Sequence, residues 1–113
     1  LLMWRQSLAG YYNGLGDVYL AQNERPSAAA FYQKSLENEF QNHKANYALA
    51  SLAMAQNDQV TAAQFYEHAT LKQPQPHDYA GLSQTYLQTD LFFEAVKALQ
   101  RGLRQFPNSG ELQ

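Results

Sequence analysis

Residues 21–36 read AQNERPSAAAFYQKSL, and residues 55–70, displaced by 34 positions, read AQNDQVTAAQFYEHAT. A fixed period of this length constrains the fold before any single residue does. Each repeat is one supersecondary unit that cannot bury its apolar face alone and must stack on its neighbours. The shift of 34 superposes Leu15 on Leu49, Gly16 on Ala50, Asn23 on Asn57, Ala28 on Ala62, Phe31-Tyr32 on Phe65-Tyr66 and Ser35 on Ala69. A further shift of 33 brings Leu82, Ser83, Asp90, Ala95, Leu99 and Gly102 into the same columns, and Phe40, Pro74 and Pro107 close the units. Three units result, at about 9–42, 43–75 and 76–109, within a single domain spanning 1–113.

The columns have physical readings. Gly16/Ala50/Ser83 and Ala28/Ala62/Ala95 are small, which lets two helix axes approach closely. Tyr19, Ala53 and Tyr86 follow the first small column by three residues, where they can fill the gap between neighbouring hairpins. Tyr32, Tyr66 and Leu99 follow the second by four, on the same helix face. Asn23, Asn57 and Asp90 fall between helices, at positions suited to the left-handed conformation that ends a helix. Pro74 and Pro107 are read as ending the second helices of their units, Pro26 as sitting in a first turn, and Asn42 and Asp58 as N-caps. Apolar periodicity is helical throughout, and six helices are predicted over about 7–22, 26–38, 43–56, 59–72, 77–88 and 91–105.

These columns resemble the tetratricopeptide repeat, a helix–turn–helix with a large residue, then Leu-Gly, Tyr, Ala, Phe/Tyr, Ala and Pro. The best-matching run of unit one is YYNGLGDVYL; unit two carries Ala62, Tyr66, Ala69 and Pro74, and unit three Leu82, Tyr86, Ala95 and Pro107. Two positions depart from the pattern: Asn46 stands where a large aromatic is usual, and Phe40 replaces the closing proline. The resemblance implies an all-α chain folded as a right-handed α-solenoid of three antiparallel hairpins.

At the N-terminus, Leu1, Trp4, Leu8, Tyr11 and Leu15 form one apolar stripe at helical spacing. The stripe is read as core in preference to an exposed, partner-binding Trp4, and helix one is expected to begin before residue 7. At the other end, PNSGELQ reads as the start of another helix, with Ser109 as its cap and Glu111 in the first turn. The chain is therefore expected to be a section of a longer repeat protein, or to cover an open end by self-association.

Catalytic chemistry finds little support. The chain has no cysteine and three histidines, and His43, His68 and His77 show no close ligand spacing with one another or with a carboxylate suited to zinc; they are read as solvated or capping. No metal, no cofactor and no catalytic residue are predicted, and no glycine-rich loop suits a phosphate, since GYYNGLG lies within a helix. A net charge of −2 with scattered basic residues gives no footprint for nucleic acid. No apolar run is long enough for direct membrane insertion. The segment reads as soluble, and both cytoplasm and periplasm suit it.

The resemblance implies a non-catalytic scaffold that holds a partner peptide or helix in a concave groove formed by the first helix of each unit. The groove residues expected are Asn13, Asp17 and Leu20 from unit one. Unit two adds Lys44, Tyr47, Ser51 and Met54, and unit three His77, Gln84, Leu87 and Gln88. Tyr47 is the strongest anchor by chemistry; its alternative role, beside Asn46, is to turn into the core. One subgroup of the family clamps the C-terminal carboxylate of chaperone tails with Lys, Asn and Arg. The corresponding positions here hold Asn13, Asp17, Ala48, His77 and Gly81, so that clamp is expected to be absent. The alternative class is structural, with dimers or filaments formed through open solenoid ends.

Overall fold

The computed structural model describes residues 2–113, with side chains from Met3 onward. The described residues form six α-helices: α1 (Leu2–Ala21), α2 (Arg25–Asn38), α3 (His43–Ala55), α4 (Gln59–Ala69), α5 (Pro76–Gln88) and α6 (Phe92–Gln105). Principal packing follows chain order, α1 on α2 through α5 on α6, in a body of 37 × 30 × 21 Å. The architecture is thus an all-α stack of three hairpins.

The three intra-hairpin turns form alike because Asn23, Asn57 and Asp90 adopt φ of 60°, 60° and 61°, the left-handed region that short polar side chains tolerate. Each turn is closed by a bond from the residue three past the helix end, such as Asp58 N–H to the Ala53 carbonyl at 2.9 Å. Asn42 caps α3 by accepting from Ala45 N–H at 2.9 Å, and Asp58 caps α4 by accepting from Thr61 N–H. Pro26 occupies the first turn of α2 and Pro76 that of α5, where the missing N–H costs nothing.

The small columns work as close contacts between helices. Ala28, Ala62 and Ala95 are essentially inaccessible. A Cβ added at Gly16 would lie 2.7 Å from the Tyr32 ring, so the glycine is what lets that ring cross α1. The same relation recurs between units, where a Cβ on Gly81 of α5 would meet the Tyr66 ring of α4 at 2.6 Å. Buried Ala50, Ala53, Ala62, Tyr66, Leu82 and Ala98 form one core cluster, and Ala28, Tyr32, Ala45, Leu49 and Leu52 another. The partly buried Phe65 packs against both.

Three sequence expectations are corrected. The stripe through Trp4 and Tyr11 is not core: both are more than 60% exposed, whereas the face against α2 is Ala9, Asn13 and Gly16, flanked by half-buried Leu8, Tyr12, Leu15 and Tyr19. Helix α1 has 20 residues and α2 has 14, so the first turns of α1 lack a partner helix. Leu1, the first member of the stripe, lies outside the described residues. The second helix of unit two ends at Ala69, before Pro74, because Thr70 and Leu71 tighten into turn bonds to Glu67 and His68. Finally, residues 107–113 do not begin a seventh helix. They form turns that seat Leu112, only 5% exposed, against Gly102 at the α5–α6 seam.

Candidate functional site

The first helices of the units converge on a cavity of about 570 Å³, open to solvent. Its walls are Asp17 and Leu20 of α1, Arg25 and Tyr32 of α2, His43, Lys44, Tyr47, Ala48, Ser51, Leu52 and Ala55 of α3, and His77 of α5. Six of the groove residues expected from the sequence therefore meet here: Asp17, Leu20, Lys44, Tyr47, Ser51 and His77.

The others stand elsewhere. Asn13 is buried, and its amide donates to Asn42 Oδ1 at 2.9 Å, so it ties α1 to the cap of α3 instead of facing a ligand. Met54 is half-buried and its thioether accepts from the Thr85 hydroxyl, which places it in the α3–α5 contact. Gln84, Leu87 and Gln88 are exposed on α5 outside the cavity wall, with Gln88 reached by Gln59 of α4.

Charge in the cavity is internally arranged. The Tyr32 hydroxyl donates to Asp17 Oδ1 at 2.6 Å, and Lys44 Nζ lies 3.1 Å from Asp17 Oδ2. Burial, then the bond to the Asp17 carboxylate, pushes the Tyr32 phenol well above its ordinary range, so it stays a neutral donor. Lys44 and Asp17 are both about half exposed, so the pair is solvent-screened and free to exchange partners.

The Tyr47 ring touches both the core and the cavity. It is half-buried, packs against the core cluster of Ala50 and Leu82, and meets Tyr66 edge-on at 5.7 Å between centroids. The same ring lines the cavity, stacked with His43 at 6.1 Å and edge-on to His77 at 4.5 Å. Asn46 beside it is wholly buried and donates to the carbonyls of Phe40 and Asn42, which fastens the turn between units. An aromatic there would lack those donors, and this accounts for the departure at that column.

The functional candidates that sequence reasoning missed are His43 and Asp78. Asp78 has no exposed surface; its Oδ2 accepts from Gln75 N–H at 2.7 Å at the start of α5, and both carboxylate oxygens lie 2.8 Å from His43 Nε2. His77 Nε2 is 3.6 Å from Asp78 Oδ1. The signal was faint: both histidines open the first helix of a unit, so stacking successive units brings them together across about 34 residues of sequence.

A second polar seam joins units two and three away from the cavity. Glu67 of α4 accepts from the Tyr86 hydroxyl at 2.8 Å and from Arg101 at 3.0 Å, and Arg101 also reaches Thr70. Burial, then the Glu67 contact, pushes the Tyr86 phenol up to about 12.

Comparison with known proteins agrees with this architecture. Residues 9–42 match the tetratricopeptide repeat family, with the bounds of the first unit read from the sequence. No curated protein sequence matches the chain. Other solved structures share its fold. The N-terminal domain of stress-induced protein-1 (STI-1) from C. elegans aligns with a TM-score of 0.83 at 18% identity, covering 96% of this chain and 91% of that one. The first TPR of Spaghetti (RPAP3), bound to HSP90 peptide SRMEEVD, aligns with a TM-score of 0.81 at 20% identity, covering 95% and 86%. Residues 9–42 thus match one tetratricopeptide repeat, and the six helices, which share the fold of these solved structures, fit about three such repeats.

Proposed function

We propose that the chain is a non-catalytic protein-interaction scaffold whose three units, 9–42, 43–75 and 76–109, act as one module holding a partner peptide in the concave cavity. The observation that carries this reading is the convergence of Asp17, Leu20, Lys44, Tyr47, Ser51 and His77 around one open space of about 570 Å³. Its chemistry suits an extended segment: hydroxyl, imidazole and a carboxylate–ammonium pair for backbone groups, with Leu20, Leu52 and the Tyr47 ring for one side-chain pocket. A solved protein of the same fold carrying a bound peptide supports the choice of this class. Panning a displayed library of random peptides against the chain tests it. Enriched peptides lose binding in Tyr47→Ala and Lys44→Glu with helicity unchanged; equal capture by both variants contradicts the groove.

A second reading, self-association, is favoured by one feature. Met3 and Trp4, 80% and 63% exposed, lie on the first turns of α1 beyond the reach of α2, and Tyr11, 61% exposed, continues this apolar strip along the helix. Sedimentation of wild type and Trp4→Glu separates the two readings. A dimer lost in the variant supports self-association, and a monomer at high concentration rejects it.

A further inference from the structure

We propose that His43, His77 and Asp78 form a zinc site at the junction of units two and three. The three candidate ligand atoms lie within 4.8 Å of one another. Zinc held by imidazole nitrogens and a carboxylate at about 2.0–2.2 Å requires ligand atoms about 3.3 Å apart in a tetrahedron. The contacts found, 2.8 Å from His43 to Asp78 and 3.6 Å from His77 to Asp78, straddle that value. His77 is 41% exposed, so its ring has room to move toward Asp78.

Two further observations point to a cation. Asp78 is completely buried, yet among the described residues no lysine or arginine pairs with it; its close partners there are the Gln75 N–H and the two imidazoles. A buried carboxylate without a cation is costly, and a divalent ion between it and two histidines removes that cost. The ligands are also held in place. The Gln75 N–H fixes Oδ2 at 2.7 Å, leaving Oδ1 for the metal, and the Tyr47 ring packs beside both imidazoles, 4.5 Å from His77 and 6.1 Å from His43. Outer contacts of this kind orient ligands in metal sites.

Two imidazoles and one carboxylate, with no cysteine in the chain, suit zinc, and copper(II) and nickel(II) as its competitors. On binding, His43 Nε2 gives up its contact with Asp78 and both rings coordinate as neutral imidazoles, any displaced proton passing to solvent. Three protein ligands leave a fourth tetrahedral position for water. The inference stands apart from peptide binding, because its test uses the metal alone.

Zinc chloride is titrated calorimetrically into untagged, chelator-treated protein, and the melting temperature is followed in parallel. One zinc per chain is expected at micromolar affinity or tighter, with a rise in melting temperature. His77→Gln is expected to weaken binding at least tenfold while the metal-free melting temperature is unchanged, and His68→Gln to bind as wild type. Zinc is also expected to shift the ring resonances of His43 and His77 but not those of His68. Absence of a saturable one-to-one phase, or wild-type affinity in His77→Gln, overturns the proposal.

Discussion

Glycine at 16, 81 and 102 is a packing residue, whereas Gly10 and Gly14 face open space on α1. The distinction is invisible in composition and decisive in energy. A methyl on Gly81 would sit 2.6 Å from an aromatic carbon of Tyr66 in the core, so Gly81→Ala is expected to destabilise by about 1–3 kcal/mol. Gly14→Ala adds a methyl with nothing within 4 Å and removes backbone entropy from the unfolded chain, so a gain of about 0.5–1 kcal/mol is expected. Urea denaturation midpoints of the two variants should move in opposite directions; a shared direction would contradict the packing assigned to Tyr66. The sequence carried half of this. Gly16 stood in a small column shared with Ala50 and Ser83, but Gly81 lay outside the columns, because its partner ring comes from the preceding unit.

At the scale of elements, Asn42 ties more parts together than a cap alone would. Its Oδ1 accepts from Ala45 N–H and from Asn13, and its Nδ2 donates to Glu39 at 2.7 Å. Asn42→Ala removes the cap of α3 together with its link to α1, and a loss of about 1–2 kcal/mol is expected. The bond from Asn42, aided by Lys72 and opposed by burial, holds the Glu39 carboxyl below the usual range. A carboxyl depressed in the folded state contributes stability above its unfolded pKa and loses it as pH falls through the folded value. Wild type should therefore lose stability on acidification more steeply than Asn42→Ala, as measured by denaturation from neutral to acid pH; parallel curves would contradict the assignment. Helix number, the two side-chain caps and the three left-handed turns were legible, since they depend on residues close in sequence. The exposure of Trp4 was not, because a helical stripe says which residues share a face and not how far the partner helix extends. Nor was the meeting of His43 with Asp78, which lie 35 positions apart and adjoin only once successive units stack.

For the whole molecule, sequential packing of α1 through α6 makes the curved stack that presents α1, α3 and the start of α5 to one side. Shared fold does not carry over a shared ligand. The positions a carboxylate clamp would use hold Asn13, Asp17, Ala48, His77 and Gly81; Asn13 is consumed by Asn42, and Asp17 brings a negative charge. An acidic peptide such as SRMEEVD is expected to give no detectable heat on titration, and micromolar binding would contradict this. The groove itself is tested most directly by mapping backbone amide shifts of the labelled chain on addition of a peptide selected from the displayed library. The largest changes are expected at Asp17, Lys44, Tyr47, Ser51 and His77, the cavity walls on α1, α3 and α5. Changes confined to the outer surfaces of α2, α4 and α6 would contradict it.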